Sequence, residues 1–329
     1  MRELKVCLYG HEVGVLKGDD WRCFSFAAAP SAFEHFSVGS TVLSEAVPLD
    51  LVPNSRKAKQ QRNFFSELLP EGRIRSSMAQ NAGIDEYDII GFLAAYGRDI
   101  AGALEIFDPL LPCEPKSPYT TKVSAKQIRL LLEDVANTPL ANAPGTGKTS
   151  LGGIQSKIVL SLADKTWYQV HDGYPSTHIL KPLVQTQPTM IFDELFGADL
   201  AHELGLNSYK QWIEDFDGLP ALVIERYDRR MDHGAKIARI HQEDFNQILG
   251  AHGNEKYQEY GGKVSLQRIA SVFQGKDDGE SLRRLARQLS LAVAMGNLDM
   301  HAKNIGLIHF EDETSTLTPA YDMVPLCHQ

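Results

Sequence analysis

Gly296-Asn297-Leu298-Asp299-Met300-His301-Ala302-Lys303-Asn304 is the most chemically informative stretch of the sequence. It places an acid and an amide, Asp299 and Asn304, five positions apart, and a second acid, Asp322, follows a predicted strand hairpin. Protein kinases need this set of groups: one Asp orients the attacking hydroxyl, an Asn holds a metal, and a downstream Asp holds metal against the ATP phosphates. Mg²⁺ prefers such carboxylate and amide oxygens. The pattern therefore predicts a kinase.

The glycine-containing segment at 144–157 is a candidate phosphate loop. Glycine lacks the Cβ that would keep backbone N–H groups away from a phosphate. We interpret the segment as a glycine-containing hairpin that leads into an alternating strand at 158–162. A Walker A loop fits less well, because Asn142 stands where that loop needs glycine. Taken alone, a plain surface hairpin is an equal alternative.

A lysine and an acid follow in the order that a kinase requires. Lys181 ends a strand predicted at 178–182, where a kinase places its phosphate-pairing lysine. Glu194 lies on a helix predicted at 190–205, and it is either the partner of Lys181 or an exposed acid. A further apolar strand at 221–224 runs into a polar segment whose backbone groups could bond an adenine edge.

The overall composition is that of a globular protein. The chain has 329 residues, 43% hydrophobic and 23% charged, which predicts two or three units at roughly 100–200 residues each. A net charge of −9 argues against direct nucleic-acid binding by the chain alone, because phosphate contacts need a clustered Lys/Arg face. No apolar run approaches the roughly 18 residues of a membrane span, and the N-terminus lacks a signal-peptide core. Four scattered cysteines predict reduced thiols in a cytoplasmic protein.

The order of patterns along the chain predicts four segments. Alternating apolar residues on both sides of Gly10 predict an N-terminal β-hairpin, and short helices are predicted after Phe64, at 76–82 and at 87–96. A proline-rich stretch opens the predicted linker. The segments are an α/β unit (1–110), a linker with a connecting helix (111–140), a nucleotide-binding lobe of kinase type (141–230) and a helical catalytic part (231–329).

These motifs together resemble those of the HipA-like serine/threonine kinases, toxins of bacterial toxin–antitoxin pairs. The resemblance covers nearly the whole chain. Each motif is moderately specific alone, and their common order makes the set highly specific. The matching segments are 64–72 (FFSELLPEG), 96–104 (YGRDIAGAL), 153–157 (GIQSK), 179–182 (ILKP), 225–229 (ERYDR), 241–245 (HQEDF), 297–304 (NLDMHAKN) and Tyr321-Asp322.

The resemblance implies an α+β, protein-kinase-like fold with a small α/β N-terminal domain and a mainly helical C-terminal kinase part. It makes Asp299 the catalytic acid/base, and it makes Asn304 and Asp322 ligands of Mg²⁺. The implied ATP-binding residues are Gly152, Gly153, Ile154, Gln155, Ser156 and Lys157 over the nucleotide, Lys181 at the phosphates, Glu225, Arg226 and Tyr227 at the adenine, and His301, Lys303, Asn304, Tyr321 and Asp322 around the catalytic Asp.

The resemblance also implies regulation and partners. Ser150 occupies the place of a serine that family members autophosphorylate, with a simple turn hydroxyl as the alternative. A phosphate there would add up to about two negative charges beside ATP, and we expect it to expel the loop and silence the enzyme. The implied target is a translation component such as an aminoacyl-tRNA synthetase. The implied partner is a HipB-like DNA-binding antitoxin, and no membrane contact is expected.

The sequence departs from the family pattern at its end. Gln329 follows Asp322 by seven residues, where relatives continue with further helices, so we expect a short C-terminal part. This favours, as an alternative function, a catalytically quiet kinase-like subunit that acts with a DNA-binding antitoxin in promoter repression. A third alternative, a P-loop NTPase, requires ATP binding through Lys148 and not through Lys181.

Overall fold

The computed structural model describes residues 2–20, 23–53, 55–111, 114, 117–231, 236–258 and 263–326. The strands are β1 (Arg2–Leu8), β2 (His11–Asp20), β3 (Cys23–Ala28), β4 (Leu104–Phe107), β5 (Tyr119–Lys122), β6 (Ile158–Ala163), β7 (Thr166–His171), β8 (His178–Pro182), β9 (Gln211–Phe216), β10 (Leu219–Glu225), β11 (Arg229–Met231), β12 (Ile237–Arg239), β13 (His241–Asp244), β14 (Gly306–His309) and β15 (Ser315–Leu317). The helices are α1 (Ala58–Glu67), α2 (Gly72–Ala82), α3 (Ile89–Tyr96), α4 (Ala125–Glu133), α5 (Met190–Glu203), α6 (Phe245–Ile248), α7 (Leu266–Gly275) and α8 (Gly279–Ala294).

The N-terminal unit is a four-stranded antiparallel sheet in the order β3-β2-β1-β4. The predicted hairpin is confirmed, because Leu8 pairs with His11 across a tight turn. Leu4 and Leu8 lie four positions apart, on the same side of the period-2 alternation of β1, and are fully buried. Phe64 and Phe65 of α1 belong to the same core. The hydrophobic core of this unit therefore lies between the alternating strands and the apolar face of α1.

A six-stranded antiparallel sheet, in the order β5-β7-β6-β8-β10-β9, forms the second layer. Leu180 in β8 packs with Ile128 and Leu132 of α4 on one face of this sheet. Because side chains alternate along a strand, Ile179 and Lys181 point to the opposite face, where a cleft lies. The predicted strand at 178–182 is confirmed, and it is this alternation that aims Lys181 at the cleft.

The two layers share one core. Leu140, Leu151 and Val159 come from beyond the N-terminal unit but are buried in its hydrophobic cluster. Ile179 packs against the same cluster. The glycine-containing segment between residues 140 and 158 is therefore held between the N-terminal unit and the six-stranded sheet.

The C-terminal part combines helices with a small sheet. The sheet has the order β13-β14-β15, and its β14–β15 pair is the hairpin predicted before Asp322. Leu307 of β14 packs with Phe245, Phe273 and Leu285 from α6, α7 and α8. The sequence patterns did not predict β13, and a mainly helical C-terminal part stays a prediction.

Two segments differ from the expectations. The glycine-containing segment is an irregular loop in front of β6 and not a hairpin, since within the described range 117–231 the first strand after β5 begins at Ile158. The predicted linker carries β5, which pairs with β7 at the edge of the six-stranded sheet. The β5 strand was missed because its partner β7 is remote in sequence.

The structure also describes two of the four cysteines and the lengths of the helices. Cys7 and Cys23 are free thiols, whereas Cys113 and Cys327 lie outside the described residues. In the ranges given above, no helix combines the length and the apolar character needed to cross a bilayer.

Candidate active site

A cleft of about 360 Å³ lies between the six-stranded sheet, the N-terminal unit and the stretch at 296–304. Ser156 alone among the predicted catalytic and ATP-binding residues is exposed and outside it. The predicted residues that line the cleft are Gly152, Gly153, Ile154, Gln155, Lys157, Lys181, Glu225, Arg226, Tyr227, Asp299, His301, Lys303, Asn304, Tyr321 and Asp322. Residues from five separate parts of the sequence thus meet at one site.

Lys181 joins two acids at the centre of the cleft. Its Nζ donates to Glu194 Oε1 at 2.7 Å and Oε2 at 2.9 Å, and to Asp322 Oδ1 at 3.2 Å. The alternative in which Glu194 pairs with Lys181 is therefore correct. Burial alone would lower the pKa of Lys181, but the carboxylates of Asp322 and Glu194 outweigh it and raise that pKa. The ammonium in turn lowers the pKa of Asp322, so both groups are charged at neutral pH.

Asp322 has a strained backbone. Its φ is +56°, in the left-handed region that non-glycine residues seldom occupy. Such strain persists where the surrounding structure imposes it, often at functional sites. Only Oδ1 is bonded to Lys181, and among the described residues Oδ2 has no hydrogen-bond partner. That oxygen remains available for a ligand.

The stretch at 296–304 is held by its own amides. Asp299 N–H donates to Asn297 Oδ1 at 3.1 Å, and Asn304 Nδ2 donates to Asp299 O at 2.9 Å. The latter bond leaves Asn304 Oδ1 for another ligand. Tyr257 Oη donates to Asp299 Oδ1 at 3.1 Å. The Asp299 side chain is still 51% exposed, so a substrate hydroxyl can reach it.

His301 lies in the same stretch, close to Asp299. Its Nε2 is 3.7 Å from Asp299 Oδ1, and its Nδ1 is buried without a hydrogen-bond partner in the described part of the chain. Burial, with a smaller contribution from Lys256, lowers the pKa of His301. The imidazole is therefore neutral at pH 7.

The loop at 152–157 is folded around a buried amine. Lys157 Nζ donates to Gly152 O, and Gly153 has a φ of +101°, which favours glycine. Burial and then the nearby Lys181 lower the pKa of Lys157 to about 8. The loop thus presents a cation and glycine backbone to the cleft, the chemistry that a phosphate needs.

The segment after β10 offers one free acceptor and one free donor. Arg226 N–H donates to Thr177 O at 2.8 Å, which puts Glu225 at a non-bonded position of the antiparallel β8–β10 ladder. Lys210 N–H donates to the side-chain Oε2 of Glu225 at 3.0 Å. Within the described residues, the Glu225 carbonyl and the Tyr227 N–H have no partner. An adenine edge, with an amino donor beside a ring-nitrogen acceptor, matches such a pair.

The Arg226 side chain is held by ion pairs. Its guanidinium donates to Asp228 Oδ1 at 2.9 Å and Oδ2 at 2.8 Å. It belongs to a buried ion cluster that also contains Asp99, Arg229 and Arg239. Only the backbone of Arg226 can serve the cleft.

Ser150 is fully buried and does not line the cleft. Its Oγ donates to Leu68 O at 3.1 Å, and its N–H donates to Asp99 O at 3.1 Å. The hydroxyl cannot meet a phosphate unless this segment moves. Lys148 lines a separate cavity of about 460 Å³, which argues against a P-loop built on that lysine.

Two acids of the N-terminal unit also line the cleft, and sequence reasoning missed them. Lys303 Nζ lies 2.6 Å from Glu67 Oε2 and also bonds Glu71. Burial would raise the pKa of Glu67, but its hydrogen bond from His252 and the Lys303 ammonium lower it to about 2. The signal was present, because both acids lie in the segment 64–72 used for the resemblance.

The donor set fits a magnesium ion that arrives with a nucleotide. No group of three His, Cys, Asp or Glu side chains in the described ranges could hold a metal alone. Mg²⁺ commonly takes one or two protein oxygens and completes its shell with phosphates and water. Asn304 Oδ1 and Asp322 Oδ2 are two such oxygens on one cleft.

Comparison with known proteins gives one consistent family. The model of the HipA N-terminal domain matches residues 4–107, and that of the HipA-like C-terminal domain matches residues 149–329. Y4mE of Sinorhizobium fredii is 31% identical over 98% of this chain and 77% of its own length. The serine/threonine-protein kinase toxin HipA of Shewanella oneidensis is 27% identical over 86% of this chain and 66% of its own length.

A solved structure shows the same fold. A chain from the complex of Shewanella oneidensis HipA, HipB and operator DNA matches with a TM-score of 0.77 and 25% identity. The match covers 98% of this chain and 76% of that one. This likeness supports the predicted α+β, protein-kinase-like fold.

Proposed function

The chain belongs to the HipA family, and we propose that it is an ATP- and Mg²⁺-dependent serine/threonine protein kinase. One observation carries the proposal: Asp299, Asn304, Asp322 and Lys181 all line a single cleft. The name of the Shewanella relative, a serine/threonine-protein kinase toxin, supports it.

Three parts of the cleft would bind the nucleotide. The Glu225 carbonyl and the Tyr227 N–H would bond the adenine edge, because neither has another partner among the described residues. The glycine backbone at 152–153 would cover the phosphates. Lys181 would fix them, as a strand lysine does in kinases. Glu194 would keep that ammonium aimed, since it holds Lys181 Nζ with both oxygens.

Asp299 would act on the substrate hydroxyl. Its half-exposed carboxylate can accept the hydroxyl proton, and such general-base catalysis contributes about 10²–10⁴-fold. Asn304 and Asp322 would hold Mg²⁺, which neutralises charge on the transferred phosphoryl group. The remaining contribution of the chain is alignment of hydroxyl and phosphate.

We include autophosphorylation and partners in the proposal. The burial of Ser150 supports a switch, because the segment must leave its site to be modified and about two added charges would oppose its return. A HipB-like DNA-binding antitoxin is supported by the solved complex that contains HipB and operator DNA. A translation component such as an aminoacyl-tRNA synthetase as the target, and action in the cytoplasm, rest on the family resemblance.

The test is phosphate transfer from labelled ATP together with MgATP binding. Asp299→Asn should lower transfer by at least about 100-fold and leave the MgATP Kd within about threefold. Asp312→Asn, a matched change at an acid outside the cleft, should alter neither. Equal labelling by wild type and Asp299→Asn would refute the kinase. Wild-type binding without any transfer would favour the quiet kinase-like subunit.

A further inference from the structure

Lys303 is already neutralised by the N-terminal unit. Its Nζ lies 2.6 Å from Glu67 Oε2 and bonds Glu71 as well, and its side chain is only 11% exposed. The two carboxylates already balance its charge, so a phosphate would gain less from this ammonium than from an unpaired one. The sequence predicted Lys303 as a phosphate-side residue, and its contacts give it a different use.

Glu67 connects three parts of the chain. It is the last residue of α1 and is buried. Besides Lys303, its Oε2 accepts from Asn246 Nδ2 at 3.0 Å, and its Oε1 lies 3.2 Å from His252 Nδ1. Both of those residues belong to the C-terminal part. A carboxylate has about four acceptor sites, and Glu67 uses its two oxygens to contact Lys303, Asn246 and His252, all in the C-terminal part.

Lys303 is the middle residue of a 3₁₀ turn, Ala302–Asn304. Tyr321 Oη donates to Lys303 O at 2.8 Å, so the residue is held at its carbonyl and at its ammonium. The next residue, Asn304, donates to Asp299 O at 2.9 Å. The position of Lys303 therefore fixes both the acid/base candidate and a metal-ligand candidate.

We propose that Glu67 is a positioning residue for phosphoryl transfer, acting through Lys303 on the turn that carries Asn304. On this assignment Lys303 serves the alignment of the reacting groups and contributes little to nucleotide affinity. The proposal rests on the kinase function proposed above. It also means that the N-terminal unit contributes a positioning residue to the active site.

The experiment separates affinity from rate. MgATP Kd and the single-turnover rate of label transfer are measured for Glu67→Gln, Lys303→Met and the double variant. Each single variant should lose about 10- to 100-fold in rate, since about 1 Å of misplacement costs roughly 100-fold, with Kd changed less than about threefold. The double variant should fall no further than Lys303→Met, because that change already removes the Glu67–Lys303 pair. Lys303→Arg, which can keep the ion pair, should restore most of the rate lost in Lys303→Met.

A matched control exists elsewhere in the chain. Glu45 Oε1 and Lys276 Nζ, 2.7 Å apart, form a second ion pair between the N-terminal unit and the C-terminal part, away from the cleft. Glu45→Gln should leave Kd and rate unchanged. It therefore reports the cost of losing such a pair without touching the catalytic turn.

Hydrogen exchange of the peptide 299–305 gives a readout that needs no activity. Exchange should accelerate about tenfold or more in Glu67→Gln and Lys303→Met but not in Glu45→Gln. Unchanged exchange would overturn the proposal, as would additive rate losses or a Lys303→Met variant that loses MgATP affinity but keeps its rate. Absence of transfer by the wild type would count against the kinase function alone, because the exchange measurement still tests Glu67.

Discussion

Replacing Asp99 by Asn should lower the free energy of unfolding by about 3–5 kcal/mol, the usual cost of breaking a buried ion pair from one side. Asp99 has no exposed surface. Its Oδ1 lies 3.0 Å from Arg229 Nη2 and 3.7 Å from Arg226 Nη1. Asn keeps the shape of the side chain but removes its charge, so the arginines lose a counter-ion and not a packing partner.

The magnitude follows from the charges of the cluster. Two carboxylates, Asp99 and Asp228, face three guanidiniums, those of Arg226, Arg229 and Arg239. Glu105 Oε1 lies 4.0 Å from Arg239 Nε and balances the third positive charge, so the substitution leaves one positive charge of the buried cluster uncompensated.

A smaller loss is expected where one bond to Asp99 is removed and its charge is kept. Thr149 Oγ1 donates to Asp99 Oδ2 at 3.2 Å. Because the acceptor is charged, Thr149→Val should cost about 1.5–3 kcal/mol. Thr318→Val is the matched control, since that buried hydroxyl accepts a bond of the same length, from Gly306 N–H, elsewhere in the chain.

Urea unfolding followed by tryptophan fluorescence measures these losses, because Trp167 and Trp212 lie in the six-stranded sheet and report its unfolding. The pH dependence adds a second check. Burial would raise the pKa of Asp99, but Arg226 and Arg229 outweigh it and lower that pKa. A carboxyl with a lowered folded pKa stabilises the fold above its unfolded pKa of about 3.9 and loses that contribution as pH falls further.

The difference between wild type and Asp99→Asn should thus be complete at pH 7 and shrink below about pH 4. A loss smaller than about 1 kcal/mol at pH 7 would show that Asp99 does not balance the arginines. A difference that is the same at pH 7 and pH 3 would show that its charge is not the reason.

Three further predictions concern Lys157, Gly153 and Glu243. MgATP affinity should weaken as pH rises through about 8, where Lys157 loses its proton, and titrations of Lys157→Arg should show no such bend. Gly153→Ala should weaken MgATP binding about 5- to 150-fold, from roughly 1–3 kcal/mol of strain, because φ is +101° and a Cβ would lie 2.8 Å from Lys157 Nζ. Gly145→Ala, with positive φ but no atom within 4 Å, should leave Kd unchanged. Burial raises the pKa of the Glu243 carboxyl to about 8. The contribution of this group to the free energy of unfolding is therefore full below about pH 4.3 and is lost as pH rises through 8. Urea midpoints of unfolding at pH 6 and pH 9 should differ less in Glu243→Gln than in wild type.

The sequence predicted those parts of the site that depend on local pattern. Lys181 faces the cleft because β8 alternates, and alternation is visible in the sequence. Asp299 and Asn304 meet because one short turn separates them, and their spacing is likewise local. Glu194 was left open between partner and exposed acid, since a helix acid has no local sign of its distant lysine.

Contacts between remote segments were beyond such reasoning. Lys303 and Glu71 lie 232 positions apart, so the sequence around Lys303 gives no sign that its ammonium is paired with an acid. The burial of Ser150 under Leu68 depends in the same way on how the N-terminal unit packs. The Arg226 guanidinium pairs with Asp99, and no pattern near the hinge indicates that ion pair.

The shared hydrophobic core also constrains how the protein can be synthesised. A ribosome releases the four strands of the first sheet early, yet Leu140, Leu151 and Val159, which complete the interior of that sheet, follow only later. Until residue 159 has left the exit tunnel, the nascent chain must carry an open apolar surface, the condition in which growing chains aggregate or recruit chaperones. Slowing translation between residues 107 and 159 should therefore lower the yield of folded protein more than the same pause placed after β8.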